Sequence, residues 1–307
     1  MKHTAVVAGL SLCLLLIQAA GSSPYFNQPT PGLTPVLFAP GVVSTEAVEL
    51  NTVFTPDLQE MFFARTLDRA PSMFHARRVD GAWTTPRELL LFPDGARALA
   101  VDMTVSRDGQ ELYFLGNYQP PGATGKPTTD IWRSRRVAGT WTTAERVPAP
   151  ISTDASEVYP VIVGDGSLYF TSNRPGGIGR NSLYRAQRRP DGTFDAPALV
   201  PRPINHEDGI GDTFVSPDES VMVFGSSRPP SLGASDLFVA FRQPDGAWGE
   251  PSHLDAVVNT EISDYCPFFT PDGRYFFFSR RQSTAGAAVA GDVYWMDAKF
   301  LDQFRRK

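Results

Sequence analysis

The chain has 307 residues, of which 42% are hydrophobic and 20% charged, enough for one large core or two ordinary ones and too apolar for a disordered polypeptide. Its formal net charge is −5 and its pI about 5.4. That balance argues against nucleic-acid partners, because a phosphate backbone rewards a surplus of Lys and Arg.

Lys2 and His3, the apolar run from Ala5 to Ile17 and the small residues Ala19, Ala20 and Gly21 form the pattern of a secretory signal peptide over residues 1–21. The run falls short of the ~20 residues needed to span a bilayer, and Leu12 is not the small residue that lipidation of Cys13 would need. Cleavage after Gly21 leaves Cys266 as the only cysteine. The expected product is an exported domain, periplasmic or extracellular, without an internal disulfide. Residues 22–34 read as a linker and 35–307 as one domain. Cys266 lies in the apolar run YCPFF, which points to a buried, inert thiol.

From Val53 onward the chain repeats itself. An apolar strand, a tight turn and an aromatic strand recur at Val53–Arg65, Val105–Asn117, Val161–Arg174, Phe214–Arg228 and Phe269–Arg281. The turn aspartates Asp57, Asp108, Asp165, Asp218 and Asp272 are spaced roughly 50 to 57 residues apart, close to the ~40–50 of a four-stranded propeller blade. A third strand begins at Met73, Asp130, Ser182, Asp236 and Asp292, and a second hairpin follows at Val79–Pro86, Val137–Ala144, Pro190–Pro197 and Pro244–Pro251. Its Asp-Gly or Ala-Gly pair supplies the positive φ of a tight turn. Trp83, Trp141, Phe194 and Trp248 hold equivalent positions and are expected to cover a sheet face against the next blade.

The fifth repeat ends after its third strand. Residues Val36 to Phe38 precede the first repeat as an outer strand would. They are expected to pair with the last blade and close the ring, which removes the exposed sheet edges. The predicted fold is all-β, a single five-bladed propeller. The repeats resemble the WD-like propeller repeat of TolB and many exported bacterial proteins. Repeat three carries the motif most fully, as Glu157, Pro160, Asp165-Gly166, Leu168-Tyr169-Phe170, Ser172, Arg174, Gly176-Gly177 and Leu183-Tyr184. Repeat five carries Asp264, Pro267, Gly273, Ser279, Arg280 and Asp292-Val293-Tyr294. The resemblance covers about Pro35 to Asp297 and implies architecture rather than chemistry.

The links between blades are expected to converge on the channel mouth, carrying Glu49, Asp102, Glu157, Asp212 and Asp264, with Arg65, Arg174, Arg228 and Arg280 at the ends of the second strands. Such carboxylates suit a metal site, an acid/base pair or sugar binding, but one carboxylate per blade is more simply an inter-blade ion pair or a turn-stabilising hydrogen bond. The link NHEDGIGD, read as longer than its counterparts, adds His206, Glu207 and Asp208 as binding candidates. Tyr118, Tyr159 and Tyr265 are candidates to line the mouth. No nucleophile, zinc-protease, phosphate-loop or calcium-loop signature is present, so no catalytic residue, metal or cofactor is assigned. The leading expectation is a non-catalytic module for a protein, peptide or glycan partner. The alternative is a glycoside hydrolase or lyase with carboxylates in the channel.

Overall fold

The computed structural model describes residues 24–67, 70–124, 128–284 and 287–305; the expected signal peptide lies outside them. The described chain folds into five small antiparallel sheets, the blades of a β-propeller. The inner strands are Glu49–Phe54, Ala100–Val105, Glu157–Ile162, Thr213–Val215 and Ser263–Phe269. Each pairs with an aromatic second strand, and that with a third. The turn between the first two strands forms for a local reason. Asp57, Asp108, Asp218 and Asp272 each accept the hydroxyl of the Thr or Ser two residues earlier, at 2.5 to 2.6 Å, an Asx-type arrangement that needs no tertiary contact.

The outer strands are short. In the first two blades a two-residue piece completes the hairpin, at Ala82–Trp83 and Thr140–Trp141, and a second piece further on, Arg87–Glu88 or Glu145–Arg146, pairs with the same third strand. Blades three and four keep only bridges at the hairpin, Arg188 to Phe194 and Arg242 to Trp248. The fifth blade takes its outer strand from the other end of the chain: Val36 pairs with Trp295 and Leu37 with Tyr294, and the Phe38 N–H donates to the Val293 carbonyl at 2.9 Å. Phe38 is fully buried and meets Phe277 and Trp295 at 4.9 and 5.3 Å. Within the segment expected as a linker, Tyr25 is also buried, against Phe54 and Tyr275.

Trp83 stacks on Phe26 of the N-terminal segment at 4.9 Å, whereas Trp141 packs backward, onto the preceding blade rather than the next. Trp141 of blade two meets Phe62 of blade one edge-on at 5.8 Å, and its Nε1–H donates to Glu60 Oε2 at 3.0 Å. His75 and Arg136 bind the same carboxylate. These partners hold the Glu60 carboxyl down at about 2 against the opposing cost of its burial. Trp141→Phe deletes the donor and part of the ring system that packs on Phe62 and Arg136, so it is expected to cost at least the ~1.5 to 3 kcal/mol of a hydrogen bond to a charged group, measured by urea unfolding.

Candidate functional site

Each blade places one residue in or just before its inner strand so that its side chain lines the central channel: Asn51, Asp102, Tyr159, Asp212 and Cys266. Four of them, all but Asp212, have positive φ, between 51° and 53°. In those four strands the register with the second strand slips at this residue. A bulge there re-aims one side chain, and the left-handed backbone is uncommon for residues such as Tyr and Cys. Blade four reaches the same place differently. Gly211 and Gly225 approach closely, the Gly211 N–H donating to the Gly225 carbonyl and the Gly225 N–H to the Asp212 carbonyl, each at 2.8 Å.

Three members of this ring meet. The Cys266 Sγ–H donates to Asp212 Oδ1 at 3.1 Å and approaches Asp102 Oδ1 at 3.8 Å; one ligand atom from each lies within 4.8 Å of the other two. Burial raises the carboxyls of both aspartates, that of Asp212 to about 6, and the charge of Asp212 raises Asp102 further. Burial and the two aspartates also push the Cys266 thiol up, which keeps it protonated and unfit as a nucleophile. Tyr159 is raised chiefly by the Asp212 charge. Tyr265 is raised by burial, then by Cys266 and Asp212, and among the described residues its buried hydroxyl has no hydrogen-bond partner.

From this ring a cavity of about 760 Å³ follows the inner strands to the first-hairpin turns at Pro56, Pro217 and Pro271. Val53, Val105, Val161, Phe214 and Phe268 line its walls. Arg107, Asp218, Lys299, Asp302 and Arg305 stand at its rim, the last three from the C-terminal helical turns Ala298–Leu301 and Asp302–Arg305. The cavity therefore opens on the face opposite the links, where the mouth had been expected.

The five expected link carboxylates separate into two sets. Glu49, Glu157 and Asp264 are fully buried and pair with Arg65, Arg174 and Arg280 at 2.7, 3.0 and 2.7 Å. These pairs lie within one blade, not between blades, and each carboxylate also accepts from a link Thr: Thr45, Thr153 or Thr260. Asp102 and Asp212 stand two residues further along the repeat. Their blades have Ala100 and Ile210 where the motif has its acid. Among the described residues Arg228 accordingly has no carboxylate paired with it: like Arg174 it donates to a serine and two link carbonyls, here Ser226, Pro203 and Ile204, and burial pulls its pKa down.

The link bearing His206, Glu207 and Asp208 is not longer than the others. Val43, Ile151, Ile204 and Val258, whose carbonyls accept these arginines, each precede the ring residue of their blade by eight positions. Glu207 is paired with Arg202 and His206 with Asp208, beside a cleft of about 380 Å³ separate from the channel. Tyr118 does not reach the mouth; it stacks on Phe92 at 5.3 Å and packs against Trp132. Asn51 and Cys266 were not read as ring members. The signal that finds them is the repeat register, two residues after the motif acid.

No protein-family model matches the sequence, and no curated protein does. Solved structures do match. The catalytic domain of a Coprinopsis cinerea GH62 α-L-arabinofuranosidase aligns with TM-score 0.51 and 9% identity over 86% of this chain and 97% of its own. The Podospora anserina α-L-arabinofuranosidase PaAbf62A gives 0.51 and 11% over 86% and 97%. TolB from Acinetobacter baumannii gives 0.49 and 16% over 84% and 54%, so the chain spans about half the length of that protein. The likeness is one of fold. The five-bladed architecture expected from the TolB-like repeats is the one observed, and at these identities the likeness carries no chemistry. Among the described residues no helix is long and apolar enough to cross a membrane.

Proposed function

We propose that the chain is an exported, non-catalytic recognition module that takes a peptide segment of a partner protein into its central channel, through the face of the first-hairpin turns. The observation that carries this reading is the cavity of about 760 Å³ with valine and phenylalanine walls and a charged rim, within the ~300–1,000 Å³ of ligand sites lined by apolar side chains and a few placed polar groups. Side chains of an extended peptide suit such walls, and the rim charges suit its backbone and termini. The paired state of Glu49, Glu157 and Asp264 removes them as free acids or bases.

A second reading, a glycoside hydrolase or lyase, is favoured by one observation: Asp212, raised to about 6, lies in the wall of an open channel, as a general acid would. Its distance to Asp102 speaks against it. One oxygen of each lies within 4.8 Å of the other and of the Cys266 sulfur, so the two carboxylates share one site with a thiol and do not stand apart as a separate acid and base flanking a glycosidic bond. A thermal-shift screen of peptide and oligosaccharide panels, run alongside a turnover assay on the oligosaccharides, separates the two. The recognition reading expects peptide-dependent stabilisation and no turnover. Turnover that disappears in Asp212→Asn would replace it with the hydrolase reading.

A further inference from the structure

We infer that the floor of the channel is a site for one divalent transition-metal ion of the zinc class, held by Asp102, Asp212 and Cys266. Among the described residues Glu49, Glu111, Asp130, Glu157, Asp236 and Asp264 are buried carboxylates, and each has an arginine or histidine beside it. Asp102 is only 6% exposed and has no such partner. Among the described residues the one hydrogen-bond donor its carboxylate has is the Cys266 thiol at 3.8 Å, and what faces it across the channel is a second carboxylate. A buried carboxylate without a counter-charge is costly enough that it neutralises or finds a cation.

Geometry and donor chemistry select the cation. In a tetrahedral site with metal–oxygen bonds of ~2.0 Å and metal–sulfur bonds of ~2.3 Å, neighbouring ligand atoms lie about 3.5 Å apart. The Cys266 sulfur lies 3.1 and 3.8 Å from its two carboxylate neighbours, on either side of that value. One sulfur with two carboxylate oxygens suits a borderline ion such as Zn²⁺ or Co²⁺ rather than Mg²⁺ or Ca²⁺, which take oxygen alone. All three side chains line the cavity, so the ion would stand where an entering ligand ends. Binding the ion releases the thiol proton and the proton held by the aspartate pair.

The inference does not depend on what enters the channel, and its test uses the full chain alone. Chelator-treated protein is dialysed against Co²⁺ and examined by metal analysis and absorption spectroscopy. The expected result is one equivalent of Co²⁺ with a thiolate-to-cobalt charge-transfer band in the near ultraviolet. Cys266→Ser should lose the band, and Asp102→Asn should weaken binding by more than the ~10–100-fold typical of changes outside the ligand set, both variants remaining folded by circular dichroism. Folded wild-type protein that takes up no stoichiometric Co²⁺, or a band that survives Cys266→Ser, would overturn the site and leave a shared proton as the counter-charge of Asp102.

Discussion

Replacing Glu157 by alanine is expected to remove about 3 to 5 kcal/mol of stability, the range for breaking a buried ion pair from one side. Glu157 is fully buried and accepts four hydrogen bonds, from the Thr153 amide and hydroxyl, the Ser172 hydroxyl and Arg174. The substitution strands the guanidinium and leaves the Thr and Ser donors short of an acceptor. Blade four shows how the same arginine lives without the acid. Arg228 keeps its serine and two carbonyls and lies over Phe224 and Phe238 at 4.8 and 5.7 Å, while buried Ile210 fills the acid's place. Glu157→Ile, which copies that solution, should therefore cost less than Glu157→Ala. Urea unfolding of both variants checks the order. A loss below about 1 kcal/mol for the alanine variant would mean that water replaces the pair.

The second large effect concerns pH. In the metal-free chain the Asp212 carboxyl is raised from an ordinary 3.8 to about 6. The native chain therefore holds this proton more tightly than the unfolded chain. Stability from this group is complete below the unfolded pKa and is lost as pH rises through the folded one, over a window from about 4 to 6. Two pKa units correspond to at most about 3 kcal/mol. Asp212→Asn removes the loss, so with chelator present the variant should be more stable than its parent at about pH 8 and no more stable at about pH 4. Equal stability of the two proteins across that range, by thermal or urea unfolding, would mean that the pair does not sit in a dry channel.

The blades and their closure were legible in the sequence because they rest on local chemistry. A hydroxyl two residues before a turn aspartate, as at Thr55 and Asp57 or Ser106 and Asp108, folds the hairpin with no help from elsewhere. The absence of a hairpin after Asp297 leaves an outer strand to be supplied, and Val36–Leu37 supplies it. The channel ring was harder to read because it depends on register. Asp102 and Asp212 look like the motif acids Glu49, Glu157 and Asp264, but a bulge and a left-handed residue, or two glycines in blade four, place them two positions on and turn them inward. Cys266 reads as a core thiol in an apolar run, and it is buried; its approach to Asp212, 54 residues away, follows from closing the ring and not from any short spacing. The rim residues Lys299, Asp302 and Arg305 lie beyond the last repeat, where no motif points to them.

The claim on which the account rests most is that ligand enters the channel from the first-hairpin face, and calorimetric titration of a peptide from the screen tests it directly. Thr104→Trp, in the channel wall, should abolish binding, whereas Glu207→Gln, on the opposite link face, should leave the affinity unchanged. Binding that survives the channel variant and is lost in the link variant would contradict the account and move the site to the cleft beside His206 and Arg228.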